Sequence, residues 1–253
     1  MTRLTTRAGV ILAAIVLWWL IADVVFAANP VVSKMGPAST FTGLVRLLGE
    51  PTFLDAISVS LYRLLAGLGL GVLIGIPLGA LFGSRGIVEQ ATDPIVQLLR
   101  MTSPLAWAPL ALVLLGTGSG SVIALIALAA VWPIVLGVSA GVRALDPGFA
   151  AVARSLGATR WETARSTTIP ALAAPVTGAI RVALGISWVV LVPAEMLGVT
   201  NGLGYAVLNS RDNVDYSGLA ATMLAICLLG FLLDRVFRGL HNLVLSRTGR
   251  QNA

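Results

Sequence analysis

Charge is scarce in this sequence. Only 11% of its 253 residues are Asp, Glu, Lys or Arg, while 57% are hydrophobic, and the mean hydropathy is +0.92. A soluble domain carries roughly 25% charged residues, so this chain cannot clothe itself in a water-facing surface. Lysine is nearly missing: Lys34 stands alone. A phosphate-cradling loop of the form G-x-x-x-x-G-K-[ST] needs a lysine to meet the phosphates. Lys34 is followed by Met35, and Ala28 and Ser33 stand where the motif's upstream glycines would be, so the chain carries no nucleotide-hydrolysing loop. The glycine-rich run at Gly116-Thr-Gly-Ser-Gly reads as a flexible turn. One cysteine, Cys227, and one histidine, His241, leave no intrachain disulfide and no metal cluster, and no H-E-x-x-H motif occurs. Cys227 lies inside an apolar run and reads as a packing residue; His241 reads as a plain residue after the last apolar run. The formal charge of +6 comes from basic residues scattered at segment ends, with no basic-aromatic patch, which argues against a nucleic-acid partner.

What the sequence has instead is long apolar runs. Crossing a hydrocarbon core takes about 20 residues as a helix, and six runs satisfy this: 8–28, 57–83, 94–115, 120–142, 171–198 and 217–239. The expected fold is therefore all-α, a polytopic membrane protein with six transmembrane helices. The first run follows Arg3 and Arg7 and precedes Ala-Ala-Asn, as a signal peptide would. Its length exceeds the roughly 7–15 residue core of such signals, and it is read as a retained span.

Arginine placement gives the orientation. With the N-terminus inside, the inner segments hold Arg3, Arg7, Arg85, Arg143, Arg154, Arg160, Arg165, Arg235, Arg238, Arg247 and Arg250. The outer loops hold Lys34, Arg46 and Arg211, and Arg63, Arg100 and Arg181 fall within spans. Both termini and the segment 143–170 are thus expected on the cytoplasmic side.

Two local patterns stand out. Gly71, Gly75 and Gly79 recur at four-residue spacing, which predicts a helix face packed closely against a neighbour, and Pro77 predicts a local bend there. The second is a polar interruption, ARSLGATRWETARSTTIPAL at 153–172. Asp146-Pro147 is a helix start. Phe149, Val152, Ala153 and Leu156 form one apolar face. Gly157 suits a left-handed helix end, and Thr159-x-x-Glu162 is a capping box that starts a second helix, ended by Pro170. The pattern predicts a helix–glycine–helix hairpin with an apolar stripe and a basic rim. Taken physically, it serves equally as an amphipathic hairpin on anionic lipid or as a docking knob for a soluble partner.

AVARSLGATRWETARSTTIP resembles the signature loop of binding-protein-dependent ABC importer permeases, often written EAA—G—I-LP. Ala153 matches its last alanine, Gly157 its glycine and Ile169-Pro170 its LP end. Ala151 stands in place of the motif's glutamate and Thr167 in place of its isoleucine. MTSPLAWAPLALVLLG, VWPIVLGVSAGVRALDP, RVALGISWVVLVPAEMLG and GLGYAV are similar to the nitrate/sulfonate/taurine group of that family, and the likeness spans about 57–240. The resemblance implies a type I ABC importer (MetI-like) permease fold in the bacterial inner membrane, working as a homodimer. It implies an N-terminal helix and extracytoplasmic linker over 1–56, a transmembrane domain over 57–240 with a cytoplasmic coupling hairpin at 146–170, and a cytoplasmic tail over 241–253. It also implies a pair of cytoplasmic ATPases as partners, with ATP and magnesium bound there rather than in this chain, and an extracytoplasmic substrate-binding protein. On this likeness Ala153, Arg154, Ser155, Leu156, Gly157, Ala158 and Arg160 contact the ATPase. The implied cargo is a small anion: a sulfonate, taurine, nitrate or bicarbonate.

Charged groups at membrane depth are costly and line wet pathways or pair within the bundle. Arg100, Arg181 and Glu195 are the candidates for a translocation pathway. Pairing with neighbouring helices to fix the fold is the other reading of each. Arg181 and Glu195 are about 21 Å apart along one helix and cannot pair with each other. Arg63 and Asp23 lie near outer ends and read as interfacial anchors. A rival from another class is a self-contained secondary transporter or channel. That class favours inverted repeats and broken helices around a midplane site, and the sequence shows neither.

Overall fold

A computed structural model describes residues 2–29, 31–84, 94 and 96–247. Arg85 and Arg250 lie outside the described residues. So do the side chains of Arg3, Arg7, Phe149, Arg154 and Arg247. Among the described residues regular structure is all-helical. The chain divides into two compact units, one formed by Met1–Ser60 and Thr200–Leu229, the other by Leu61–Val199 and Gly230–Ala253.

The first unit contains α1 (Thr2–Trp19), which continues through a π turn at Leu20–Val25, and α2 (Pro37–Leu48). It also holds the start of α3 (Pro51–Ser84), all of α9 (Leu203–Asp212) and the first part of α10 (Tyr216–Arg247). The linker expected over 29–56 instead contains α2 and the first turns of α3. Pro37 and Pro51 at first-turn positions explain this, because a proline's missing N–H costs nothing where no intrahelical bond would form. The segment is tied down by specific contacts. Trp18 Nε1 and Thr40 Oγ1 both donate to the Met35 carbonyl, at 3.2 and 3.3 Å, and the Leu203 N–H donates to the buried Ser60 hydroxyl at 2.8 Å. Asp215 caps α10, accepting from the Gly218 N–H at 2.9 Å and the Ser217 hydroxyl at 2.8 Å, and it also pairs with Arg46 at 2.7 Å. Burial alone would raise the Asp215 pKa, but the Gly218, Ser217 and Arg46 donors together hold it below the usual aspartate value. Cys227, expected to pack, is exposed on α10.

Between α9 and α10, Val214 has φ of 59°, the sole non-glycine with positive φ among the described residues. Its N–H bonds the Arg211 carbonyl and that of Asp215 bonds the Ser210 carbonyl, the paired bonds that close a helix around a left-handed residue. A β-branched side chain is strained there. Val214→Gly is expected to stabilise the protein by about 1 kcal/mol, read as a higher midpoint in detergent unfolding. An unchanged or lower midpoint would show that the strain is offset elsewhere.

The second unit is organised around α5 (Ser119–Arg143), whose buried face runs from Ser121 to Gly141. On one side it meets α3 along a glycine stripe longer than the sequence reading recognised: Gly67, Gly71, Gly75, Gly79 and Gly83. A Cβ at each would come within 2.6–2.8 Å of Ile126, Ala130, Ile134, Val135 or Ser139 and Val142. On the other side, Gly137 and Gly141 abut Ala179 and Pro175 of α8 (Ile169–Gly198). Apolar side chains gain nothing by leaving lipid tails, so such close backbone approach and its dispersion contacts hold the helices together.

Two expectations about the spans are corrected. The third, 94–115, is discontinuous: residues 96–101 are helical, the chain breaks at Thr102–Ser103, a 3₁₀ turn covers Pro104–Trp107, and α4 follows at Ala108–Leu115. Pro104 forces its predecessor out of helical geometry, and Ser103 has ψ of 127°. The other concerns Pro170, which does not end the hairpin's second helix. That helix, α7 (Arg160–Thr163), runs through a π turn at Ala164–Thr168 straight into α8. The widened turn takes up the missing proline N–H and relieves its clash with the carbonyl four residues earlier. Pro51–Ser84, Ser119–Arg143, Arg160–Gly198 and Tyr216–Ser246 are long and apolar enough to cross a membrane; Gly9–Val25 and Pro104–Leu115 are shorter apolar helices.

Candidate functional site

The polar hairpin forms as its capping residues dictate. Asp146 Oδ1 accepts the Gly148 N–H at 2.7 Å and starts α6 (Pro147–Ser155). Gly157 has φ of 85°, and the Ala158 N–H returns to the Ala153 carbonyl at 3.1 Å, closing α6. Both limbs of the capping box are present. The Glu162 N–H donates to Thr159 Oγ1 at 3.3 Å, and the Thr159 N–H donates to Glu162 Oε2 at 2.7 Å. The Thr159 backbone N–H, and secondarily its hydroxyl, hold the Glu162 pKa below the usual glutamate value. Its folded pKa being depressed, Glu162 contributes to the cap above the ordinary glutamate range, and the contribution is lost as pH falls through the folded value.

The hairpin's crest is apolar and open. Leu156 is 82% exposed and Trp161 69%, while Ser155, Gly157 and Arg160 are exposed and Ala153 and Ala158 half-buried. Thr163 is buried beneath. Leu156 and Trp161 thus stand exposed on polar, well-capped arms.

The ionisable groups within the spans fall into two kinds. Glu195, 0% exposed, accepts from Arg63 Nη1 at 2.7 Å, and Arg63, 2% exposed, also donates through Nε to Ser119 Oγ at 3.0 Å. Arg63 is therefore a core residue of the second unit and not an interfacial anchor; its ion pair with a desolvated carboxylate holds it there. Arg181 donates through Nε to Asp234 Oδ1 at 2.9 Å, and Arg238 one turn further along α10 shares the same carboxylate. His241 is likewise more than a tail residue: its Nδ1 lies 2.6 Å from Thr177 Oγ1, linking α10 to α8. These partners were hidden from sequence reasoning. Glu195 announces that a cation is needed, but only packing selects Arg63 from the three in-span arginines.

Arg100 differs. It makes no hydrogen bond or ion pair with any described residue. It lines a cavity of about 320 Å³ with Thr102, Trp132 and the apolar side chains of Leu99, Leu128 and Ile186. Among the described residues no group of His, Cys, Asp and Glu is placed to hold a metal ion.

Residues 71–248 match the family of binding-protein-dependent transport system inner membrane components. The chain is 30% identical to the taurine transport system permease protein TauC of Escherichia coli, covering 94% of this chain and 88% of that protein. It is 32% identical to the nitrate import permease protein NrtB of Synechocystis, over 75% and 69%. With the bicarbonate transport system permease protein CmpB of Synechococcus elongatus it shares 31% identity, over 91% and 87%. In fold it is similar to a chain of the MetNI methionine ABC transporter, with TM-score 0.65 and 17% identity over 76% of this chain and 96% of that one. A chain of a bacterial alginate ABC transporter gives TM-score 0.65 and 16% identity, over 98% and 97%. The chain is thus a multi-pass inner-membrane permease subunit of an ABC importer, a member of the binding-protein-dependent transport system inner membrane component family.

Proposed function

We propose that this permease carries a small anion, of the sulfonate, nitrate or bicarbonate kind, across the inner membrane, driven by ATPases that seat on the hairpin at 146–170. Its relatives are named for taurine, nitrate and bicarbonate, which share a compact anionic group. The transport domain is 57–240. A second copy of the chain completes the pathway, and an extracytoplasmic binding protein delivers the solute. Both termini face the cytoplasm, following the arginine asymmetry. ATP and magnesium act in the partner ATPases.

The observation that carries the coupling role is the hairpin's crest: Leu156 stands almost fully exposed beside Gly157, on arms rigidified by two N-caps and a left-handed closure. An apolar knob on a stiff base seats in a groove and transmits displacement. Ala153, Ser155, Leu156, Gly157, Ala158 and Arg160 form the contact, with Arg154 on the same helix.

Co-expression of the tagged permease with its cognate ATPase tests this. The ATPase is expected to co-purify with wild type, and Leu156→Asp is expected to release it while leaving the permease folded. Reconstituted into vesicles, the permease with ATPase and binding protein should take up taurine, nitrate or bicarbonate in an ATP-dependent manner. Uptake by the permease alone would make it a self-driven carrier and end the proposal.

A further inference from the structure

Two of the three arginines within the spans are neutralised inside the second unit, Arg63 by Glu195 and Arg181 by Asp234. Among the described residues Arg100 has no such partner; it sits on an apolar segment and lines a cavity large enough for a small solute. Arg100 is exposed on the single chain, so its guanidinium is open to an anion that reaches the cavity. The backbone beside it is broken at Thr102–Ser103. Irregular backbone survives at membrane depth only where protein buries it or where it lines a watered cavity, and Thr102 and Pro104 do line this one. The remaining walls, Leu99, Leu128, Leu136 and Ile186, offer no competing hydrogen-bond acceptor, and Trp132 supplies a flat apolar face with one N–H donor. Another cavity of this size, in the first unit, is lined by Glu50 and Asp55, which repel anions.

We infer that the Arg100–Thr102–Trp132 cavity is an anion-binding station, taking a monovalent oxyanion on the Arg100 guanidinium against the Trp132 indole. The inference rests on the anion-permease reading above and names the point in the pathway where the anion stops. A guanidinium fork matches two oxygens of one anion, which selects oxyanions over halides of equal charge. The same chemistry would bind the phosphate of a lipid headgroup, so the test separates the two sources.

Full-length permease in maltoside micelles, free of phospholipid, is titrated with sodium nitrate while tryptophan fluorescence is followed, at constant ionic strength set with chloride. Wild type is expected to show a saturable quenching component that Trp132→Phe lacks. Arg100→Gln should weaken its apparent Kd by about tenfold or more, the loss of one charge-assisted contact, and Arg100→Lys by less. Because Arg100→Lys and Trp132→Phe keep charge or volume, they report even if Arg100→Gln misfolds. No saturable component in wild type, or one unchanged in Arg100→Gln, overturns the inference. Its disappearance when the permease is moved to phosphatidylcholine nanodiscs would assign the site to lipid phosphate and overturn it equally. ATP-dependent uptake by the assembled importer, measured alongside, separates the two failures. Uptake without the nitrate component removes the station and keeps the permease function.

Discussion

Glu195→Ala is expected to leave little folded permease, with a loss of about 3–5 kcal/mol, because it strands the Arg63 guanidinium in the bundle without its carboxylate. Arg63 is 2% exposed, so water cannot take the place of Glu195 Oε1 at 2.7 Å, and the Ser119 hydroxyl is a neutral partner for a full charge. Replacing both members by apolar residues of similar size, Arg63→Met with Glu195→Leu, should recover much of the loss, since the pair's desolvation cost vanishes with its attraction. The readout is the yield of monodisperse protein and the midpoint of unfolding in mixed micelles. A single variant as stable as wild type would mean that the pair is hydrated in the native membrane. A well-folded Glu195→Gln that no longer transports would return Glu195 to the pathway.

The second large effect is functional. Gly157→Val places a β-branched residue at φ of 85°, which costs about 1–2 kcal/mol or more and shifts the population of the native hairpin by roughly 5–30-fold. Among the described residues nothing lies within 4 Å of the position a Cβ would take, so the penalty is set by backbone strain. The strain falls where the Ala158 N–H closes on Ala153, and relieving it swings Leu156 and Trp161 relative to each other. The bundle is untouched, so yield and thermal midpoint should stay near wild type. On the coupling reading, transport falls and binding protein with solute no longer stimulates the ATPase. Normal stimulated ATPase activity in a correctly folded Gly157→Val importer would refute that coupling geometry.

How far the sequence could be read depended on the range of the interaction. The hairpin was legible almost to the residue, because Asp146, Gly157 and the Thr159–Glu162 box act within four or five positions and need no distant partner. The glycine repeat at 71, 75 and 79 revealed a close-packed face. Its extension to Gly67 and Gly83, and the identity of α5 as the neighbour, depended on which helix lay opposite. The break at Ser103 was written in Pro104 but masked by the unbroken hydropathy of 94–115. Pro170 misled in the opposite direction, because a π turn accommodated what the rule for ordinary helices treats as a stop.

By itself, then, the amino-acid order determined that this is an all-helical membrane chain, where its polar hairpin starts, turns and restarts, and which face of α3 packs tightly. Those properties follow from hydropathy, capping and steric bulk, each of which is local. Only the tertiary structure decided which charges within the spans cancel. Arg63 meets Glu195 across 132 positions and Arg181 meets Asp234 across 53, while Arg100 is left facing a cavity. Charge pairing is decided by proximity in three dimensions, and periodicity along one helix says which side a residue faces but never what waits there.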